Sequence, residues 1–162
     1  MRILTVRQPW AWAIIHGGKN VENRPQNLAG DYRGPIAIHA GKEWDLRGGR
    51  SGLIWDALSD DFGWPVGAEA ARHDPRPGFD AIRPLGAIIG VVNLVGVHRT
   101  RENGECRPMG LGWCSRWAEP NAWHLRLADP RPLVEPIPYK GALGLRELPA
   151  DVVERILAGV TS

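Results

Sequence analysis

Apolar and polar positions along this chain fall into short, separated patterns. Ile3, Leu4 and Val6 make residues 3–6 a β-prone run and predict a first strand. Pro9 suits the first position of a helix, where its missing N–H would be unpaired in any case. Trp10, Ala13 and Ile14 then recur at one-face spacing through residues 10–16. Gly17-Gly18 stops that helix, because glycine accepts the left-handed conformation of a helix end. A helix of about two turns depends on packing rather than propensity. Residues 21–24 read as extended. A period of two then sets Glu22 and Arg24 on one face and Val21 and Asn23 on the other, with Lys19 in the preceding turn.

Residues 25–34 form a polar connection ending in the turn-like Tyr32-Arg33-Gly34-Pro35, and residues 36–40 predict another strand. Ser51 suits the cap of a helix running through Leu53, Ile54, Ala57 and Leu58 and ending near Gly63 and Pro65. Residues 72–84 carry Pro75, Pro77, Gly78 and Pro84 and read as loop. The block over residues 42–84 is too short for its own core and reads as an insertion of helix and loop. Residues 87–97 are the most apolar run and predict a buried strand, with Gly90 and Gly96 permitting bends. Residues 99–112 read as a polar loop. Residues 123–127 alternate as a strand, Asp129-Pro130-Arg131-Pro132 as a turn, and residues 143–145 or beyond as a closing strand. Residues 151–160 predict an amphipathic helix with Val152, Val153, Ile156 and Leu157 on its apolar side. Short strands, glycine–proline turns and peripheral helices together predict an α+β fold: a small β-barrel of about five to seven strands with helices at its openings.

Composition narrows the class. The 162 residues suit one domain, and an apolar fraction of 43% with a charged fraction of 23% is that of an ordinary globular protein. No stretch is apolar enough for a membrane span, the first residues lack a signal-peptide core, and two cysteines are too few for a secreted disulfide framework. A cytoplasmic protein without membrane contact is the expectation. The net charge of +2 says little, but its distribution says more: residues 1–50 hold eight Lys or Arg against four Asp or Glu. Such a basic excess suits a phosphate-bearing partner, and it equally suits a solvated face. Of the eight tryptophans, Trp12 and most of Trp44, Trp55, Trp64, Trp113, Trp117 and Trp123 are expected to be structural, whereas Trp10 is a candidate for stacking on a base.

The candidate chemistry gathers in the same basic third. Lys19, beside Gly17-Gly18, can approach a phosphate. Glu22 and Arg24 on a shared strand face can pair, which orients the guanidinium; Glu22 can instead accept a proton next to Lys19. The alternative for these charges is a surface ion pair. Gln8, ahead of the first helix, can read a base edge or merely cap the helix. His39, between Ile38 and Ala40, reads as a satisfied core or rim histidine. Ser115 is a nucleophile only if a base lies nearby. His98, Cys106, Cys114 and His124 make a conceivable zinc set, but seven residues between the cysteines are too many for a usual knuckle and the histidines are distant. No metal and no cofactor are therefore expected.

The pattern Gly17-x-Lys19-x-x-Glu22-x-Arg24 resembles the ASCH family of the PUA-like superfamily. Residues 4–11 (Leu4-Thr5-Val6-Arg7-Gln8-Pro9-Trp10-Ala11) precede it at the expected distance. Residues 32–40, the strand over residues 86–97, and the ending Pro138-Tyr139-Lys140-Gly141-Ala142-Leu143-Gly144-Leu145 also look like the family. The resemblance covers most of residues 3–148. It implies a single PUA-like β-barrel domain over residues 1–162, with the insertion at about 42–84 and the helix at about 150–160 as embellishments. It also implies a cleft beside the motif. Family members are regarded as binding RNA or other nucleic acid, so RNA, another single strand or a nucleotide is the expected partner. Arg7, Gln8, Trp10, Lys19, Arg24, Tyr32, Arg33 and Lys140 are the expected contact residues. Some members resemble ribonucleases, and some small bacterial ones resemble amidohydrolases acting on acetylated cytidine. For an enzyme, Lys19 and Glu22 would be catalytic, although the amidohydrolase-like members tend to have threonine where this chain has Glu22. A third reading is a protein-interaction adaptor, which would show several solvent-facing tryptophans.

Overall fold

The computed structural model describes residues 1–62, 82, 84–101, 105–106 and 112–160. Gly63, Trp64, Pro65 and most of the loop expected over residues 72–84 lie outside the described residues. Alternation of apolar side chains builds six strands into one mixed sheet. They are β1 (Arg2–Gln8), β2 (Val21–Arg24), β3 (Gly34–Trp44), β4 (Ala87–Arg99), β5 (Trp123–Pro138) and β6 (Leu145–Glu147), in the order β2-β5-β4-β3-β1-β6. β1 and β3 are parallel, and every other pair is antiparallel. Helices α1 (Trp10–Ile15), α2 (Gly52–Phe62) and α3 (Ala150–Gly159) complete the α+β architecture.

The period of two is visible in what each face buries. Leu4, Val6, Ile36, Ile38, Val92 and Leu94 pack with Ala11, Ile14 and Ile15 of α1. Their neighbours Ile3, Ala37 and Val91 point the other way, onto Val152 and Ile156 of α3. β4 is apolar at nearly every position because both of its faces are covered. A third cluster joins Trp12 and Ala13 of α1 to Ile54, Ala57 and Leu58 of α2.

Three expectations change. The sheet is open: among the described residues no ladder joins β2 to β6, so the closed barrel is not formed. Both edge strands are short, so the later parts of β5 and β1 have a ladder on one side only. Residues 129–132 do not turn the chain out of the sheet. They continue β5, with register shifts against β4 between Ile88 and Gly90 and between Val91 and Asn93. Finally, Leu157 is 56% exposed, so the buried side of α3 is narrower than its apolar pattern. No helix among the described residues is long and apolar enough to cross a membrane.

Candidate functional site

The motif is positioned by the end of α1. Gly18 adopts φ +67°, which turns the chain back so that the N–H of Lys19 reaches the carbonyl of Ala13 (2.8 Å). This bond, made by the residue after a left-handed glycine back to the last turn, closes the helix end. It delivers Lys19 beneath the sheet edge, where β2 begins. Lys19 Nζ donates to the carbonyl of Val21 and to Glu22 Oε2 (3.0 Å). Glu22 Oε1 lies 3.1 Å from Arg24 Nε, an ion-pair contact without hydrogen-bond alignment, since that N–H finds no acceptor along its axis. Arg24 Nη2 donates to the carbonyl of Thr5 (2.8 Å) on β1. One carboxylate thus holds two cations. Exposure of the side chains rises from 3% for Lys19 and 9% for Glu22 to 24% for Arg24.

These three side chains line a cleft of about 880 Å³. Its walls come from the end of β1, the start of α1, the second half of β3, residues 116–119 and residues 140–144. Trp10 and Trp117 meet edge to face at 6.4 Å, and Lys19 Nζ sits 5.8 Å from the centre of the Trp10 ring. Seven Lys or Arg and four Asp or Glu line the cleft. The carboxylates are engaged: Glu22 as above, Glu43 with Arg7 (2.6 Å), and Asp45 with Arg47 (3.6 Å), leaving only Glu119 without an ion pair among the described residues. Burial alone would raise the Asp45 carboxyl. The backbone N–H groups of Gly48 and Arg47, with the Arg47 guanidinium, outweigh it and hold Asp45 below the ordinary carboxylate range.

His39 lies in the wall. Its Nε2 sits 3.0 Å from the carbonyl of Tyr139, which can only accept, so Nε2 carries the proton. Nδ1 is buried and has no hydrogen-bond partner. Burial, partly offset by backbone hydrogen bonds to Tyr139 and Gly86, lowers the imidazole below its ordinary value. Gly141 lies against the ring so closely that a Cβ there would stand 2.6 Å from His39 Cε1.

The expected contact residues divide. Arg7, Trp10, Lys19, Arg24 and Lys140 line the cleft, as does Glu22. Gln8 does not: it is fully buried, with Oε1 accepting from the N–H of Trp12 (2.9 Å) and Nε2 donating to the carbonyl of Pro84 (3.3 Å). It caps α1 from within, as the helix-cap reading had it. Tyr32 and Arg33 also lie away from the cleft. The Tyr32 hydroxyl donates to the carbonyl of Pro35 while the Arg2 guanidinium covers its ring, and Arg33 donates to the carbonyls of Gly30 and Tyr32. Sequence reasoning missed Lys42, Arg47, Arg116 and Trp117, which long-range register brings to the cleft. The adjacent Arg116-Trp117 pair was the one local signal.

The expectation of no metal rested on spacing along the chain, and the strand register brings the four residues together across that spacing. β4 and β5 pair His98 directly with His124, and a bridge pairs Cys106 with Thr100, two residues beyond His98. Cys114 comes from the segment that leads into β5. The four residues gather in one cluster.

A family model for the ASCH domain matches residues 4–133. The chain belongs to the ASCH domain family. Among solved structures, the ASCH protein of Zymomonas mobilis shares the fold, with a TM-score of 0.54 at 15% identity, covering 99% of this chain and 96% of that one. A point mutant of the same protein gives 0.56 at 15% identity, covering 99% and 98%. No curated protein sequence matches this ASCH domain.

Proposed function

We propose that this ASCH domain binds single-stranded nucleic acid, RNA or a nucleotide derived from it, in the cleft above Lys19, Glu22 and Arg24. The observation that carries the reading is the surplus of free cations: among the described residues Lys42, Arg116 and Lys140 line the cleft with no carboxylate paired to them. Arg116 lies over the buried Trp117 ring at 5.2 Å, and the half-buried Trp10 is the aromatic side chain left to the cleft. Cations for the backbone beside aromatic faces for the bases are the pairing that single strands require. Of the described tryptophans only Trp113 is largely exposed, at 51%, which disfavours the adaptor. The test is fluorescence anisotropy with a labelled single-stranded RNA. The Lys42→Ala/Lys140→Ala double variant should weaken binding by about tenfold or more, and Arg155→Ala on α3 should leave it unchanged. Equal affinity for the double variant and the wild type would remove the cleft from the account.

A second reading, hydrolysis of RNA or of an acylated nucleoside, has one observation in its favour: the buried contact of Lys19 with Glu22 at the foot of the cleft. Glu22 would take the proton of a water molecule there, and Lys19 would stabilise the developing negative charge. Incubation of RNA and of acetylated cytidine with wild type beside Lys19→Met decides it. Absence of product at high protein concentration rejects catalysis and leaves binding.

A further inference from the structure

His98, Cys106, Cys114 and His124 present their ligand atoms all within 4.8 Å of one another, the one such cluster among the described residues. The arrangement is specific. Cys106 Sγ and Cys114 Sγ lie 3.5 Å and 3.3 Å from the same atom, His124 Nδ1. His124 Nε2 donates to the carbonyl of Glu119 (2.8 Å), which leaves Nδ1 unprotonated and turned toward the sulfurs. His98 packs edge to face on His124 at 5.2 Å, and its Nε2 is buried with no hydrogen-bond partner. A buried nitrogen without a partner is costly unless something fills it. Two thiols and two imidazoles facing one point need a shared cation more than they need each other.

We propose that His98, Cys106, Cys114 and His124 bind one zinc ion in a tetrahedral structural site. Tetrahedral bonds of about 2.3 Å to sulfur and about 2.0–2.1 Å to nitrogen set ligand atoms about 3.3–3.8 Å apart. The two sulfur–nitrogen distances already match, and the widest separation has about 1 Å to close. Two soft thiolates with two imidazoles select zinc over the oxygen-seeking cations. On binding, each cysteine releases its thiol proton to solvent and the two thiolates balance the dication. With four protein ligands no position remains for water, so the ion has a holding role.

What it holds is the cleft wall. Cys114 and His124 bracket residues 115–123, and Arg116, Trp117, Ala118 and Glu119 of that segment line the cleft. The same segment is tied to β2 by Asn23, whose Nδ2 donates to the carbonyl of Trp117 (2.8 Å) and whose Oδ1 accepts from the N–H of Glu119 (3.1 Å). The site stands whatever the cleft binds.

The test is metal analysis of the full chain purified under reducing conditions, followed by replacement with cobalt. About one equivalent of zinc per chain is expected. The cobalt form should show the strong visible bands of tetrahedral coordination and a near-ultraviolet thiolate-to-cobalt band. Cys106→Ser and Cys114→Ser should each weaken zinc by more than about a hundredfold. If these variants fail to fold, the wild-type cobalt spectrum decides alone. Hydrogen exchange over residues 112–123 should quicken when a chelator strips the metal. Failure to take up stoichiometric zinc or cobalt, a weak octahedral cobalt spectrum, or a Cys106–Cys114 disulfide in the reduced preparation would each overturn the site.

Discussion

Lys19 is an ammonium with almost no contact with water, and its stability rests on Glu22 and the Val21 carbonyl. Removing one partner of a buried pair leaves the other charge unmatched, at a cost of about 3–5 kcal/mol. Arg24 keeps one Glu22 oxygen occupied, so Lys19→Met should destabilise by about 3 kcal/mol in urea unfolding, near the bottom of that range. The double variant with Glu22→Gln should lose less than the sum of the two single losses, and additive losses would contradict the pairing. His39 gives a pH signature. Its folded-state value lies below the ordinary 6.5, so the unfolded chain takes up the proton first. The contribution is therefore complete above 6.5 and is lost as pH falls toward the folded value. His39→Gln, which retains a donor for the Tyr139 carbonyl, should flatten the fall in Tm between pH 7 and pH 5 relative to wild type. Parallel curves would show that burial of His39 carries no protonation cost.

At the scale of elements, the closure of α1 aims the motif. Gly18 sits in the left-handed region, where a Cβ costs roughly 1–2 kcal/mol. Gly18→Ala should lower stability by about that amount in chemical denaturation, although nothing lies within 4 Å of the added carbon. An unchanged midpoint would mean that the turn relaxes freely. The helix, its glycine stop and the pairing face of Glu22 with Arg24 were legible in the sequence because they depend on neighbours in the chain. The course of β5 was not. Pro130 and Pro132 read as a turn, yet β2 pairs only with Trp123–Arg126, which leaves the later part of β5 with one neighbour and room for residues that cannot donate. The cluster of two histidines and two cysteines was illegible for a related reason. His98 and His124 stand 26 positions apart and become neighbours only through the β4–β5 register. The role of Gln8 was half legible: its position before α1 announced a cap, but nothing local showed that Pro84 would take its other end.

For the molecule as a whole, the open sheet and its cleft make a basic hollow within a protein of small net charge. Binding by such a hollow should fade with salt, and each phosphate contact removed should reduce the log–log slope by about one. Lys42→Ala/Lys140→Ala should therefore lower the slope by about two while leaving the free energy of unfolding within about 1 kcal/mol of wild type, because among the described residues neither side chain is paired with a carboxylate. Glu43→Gln, which frees Arg7 from an exposed pair, should act in the opposite sense and tighten RNA binding. A salt slope indifferent to all three changes would detach the rim from binding. The bottom of the hollow obeys a different rule. Glu22 already engages both Lys19 and Arg24, so a phosphate settling there must compete with a carboxylate for them. An uncharged ring edge meets no such rival and can trade hydrogen bonds with the trio. Under the proposed function the rim would hold the phosphates and the floor would face the bases.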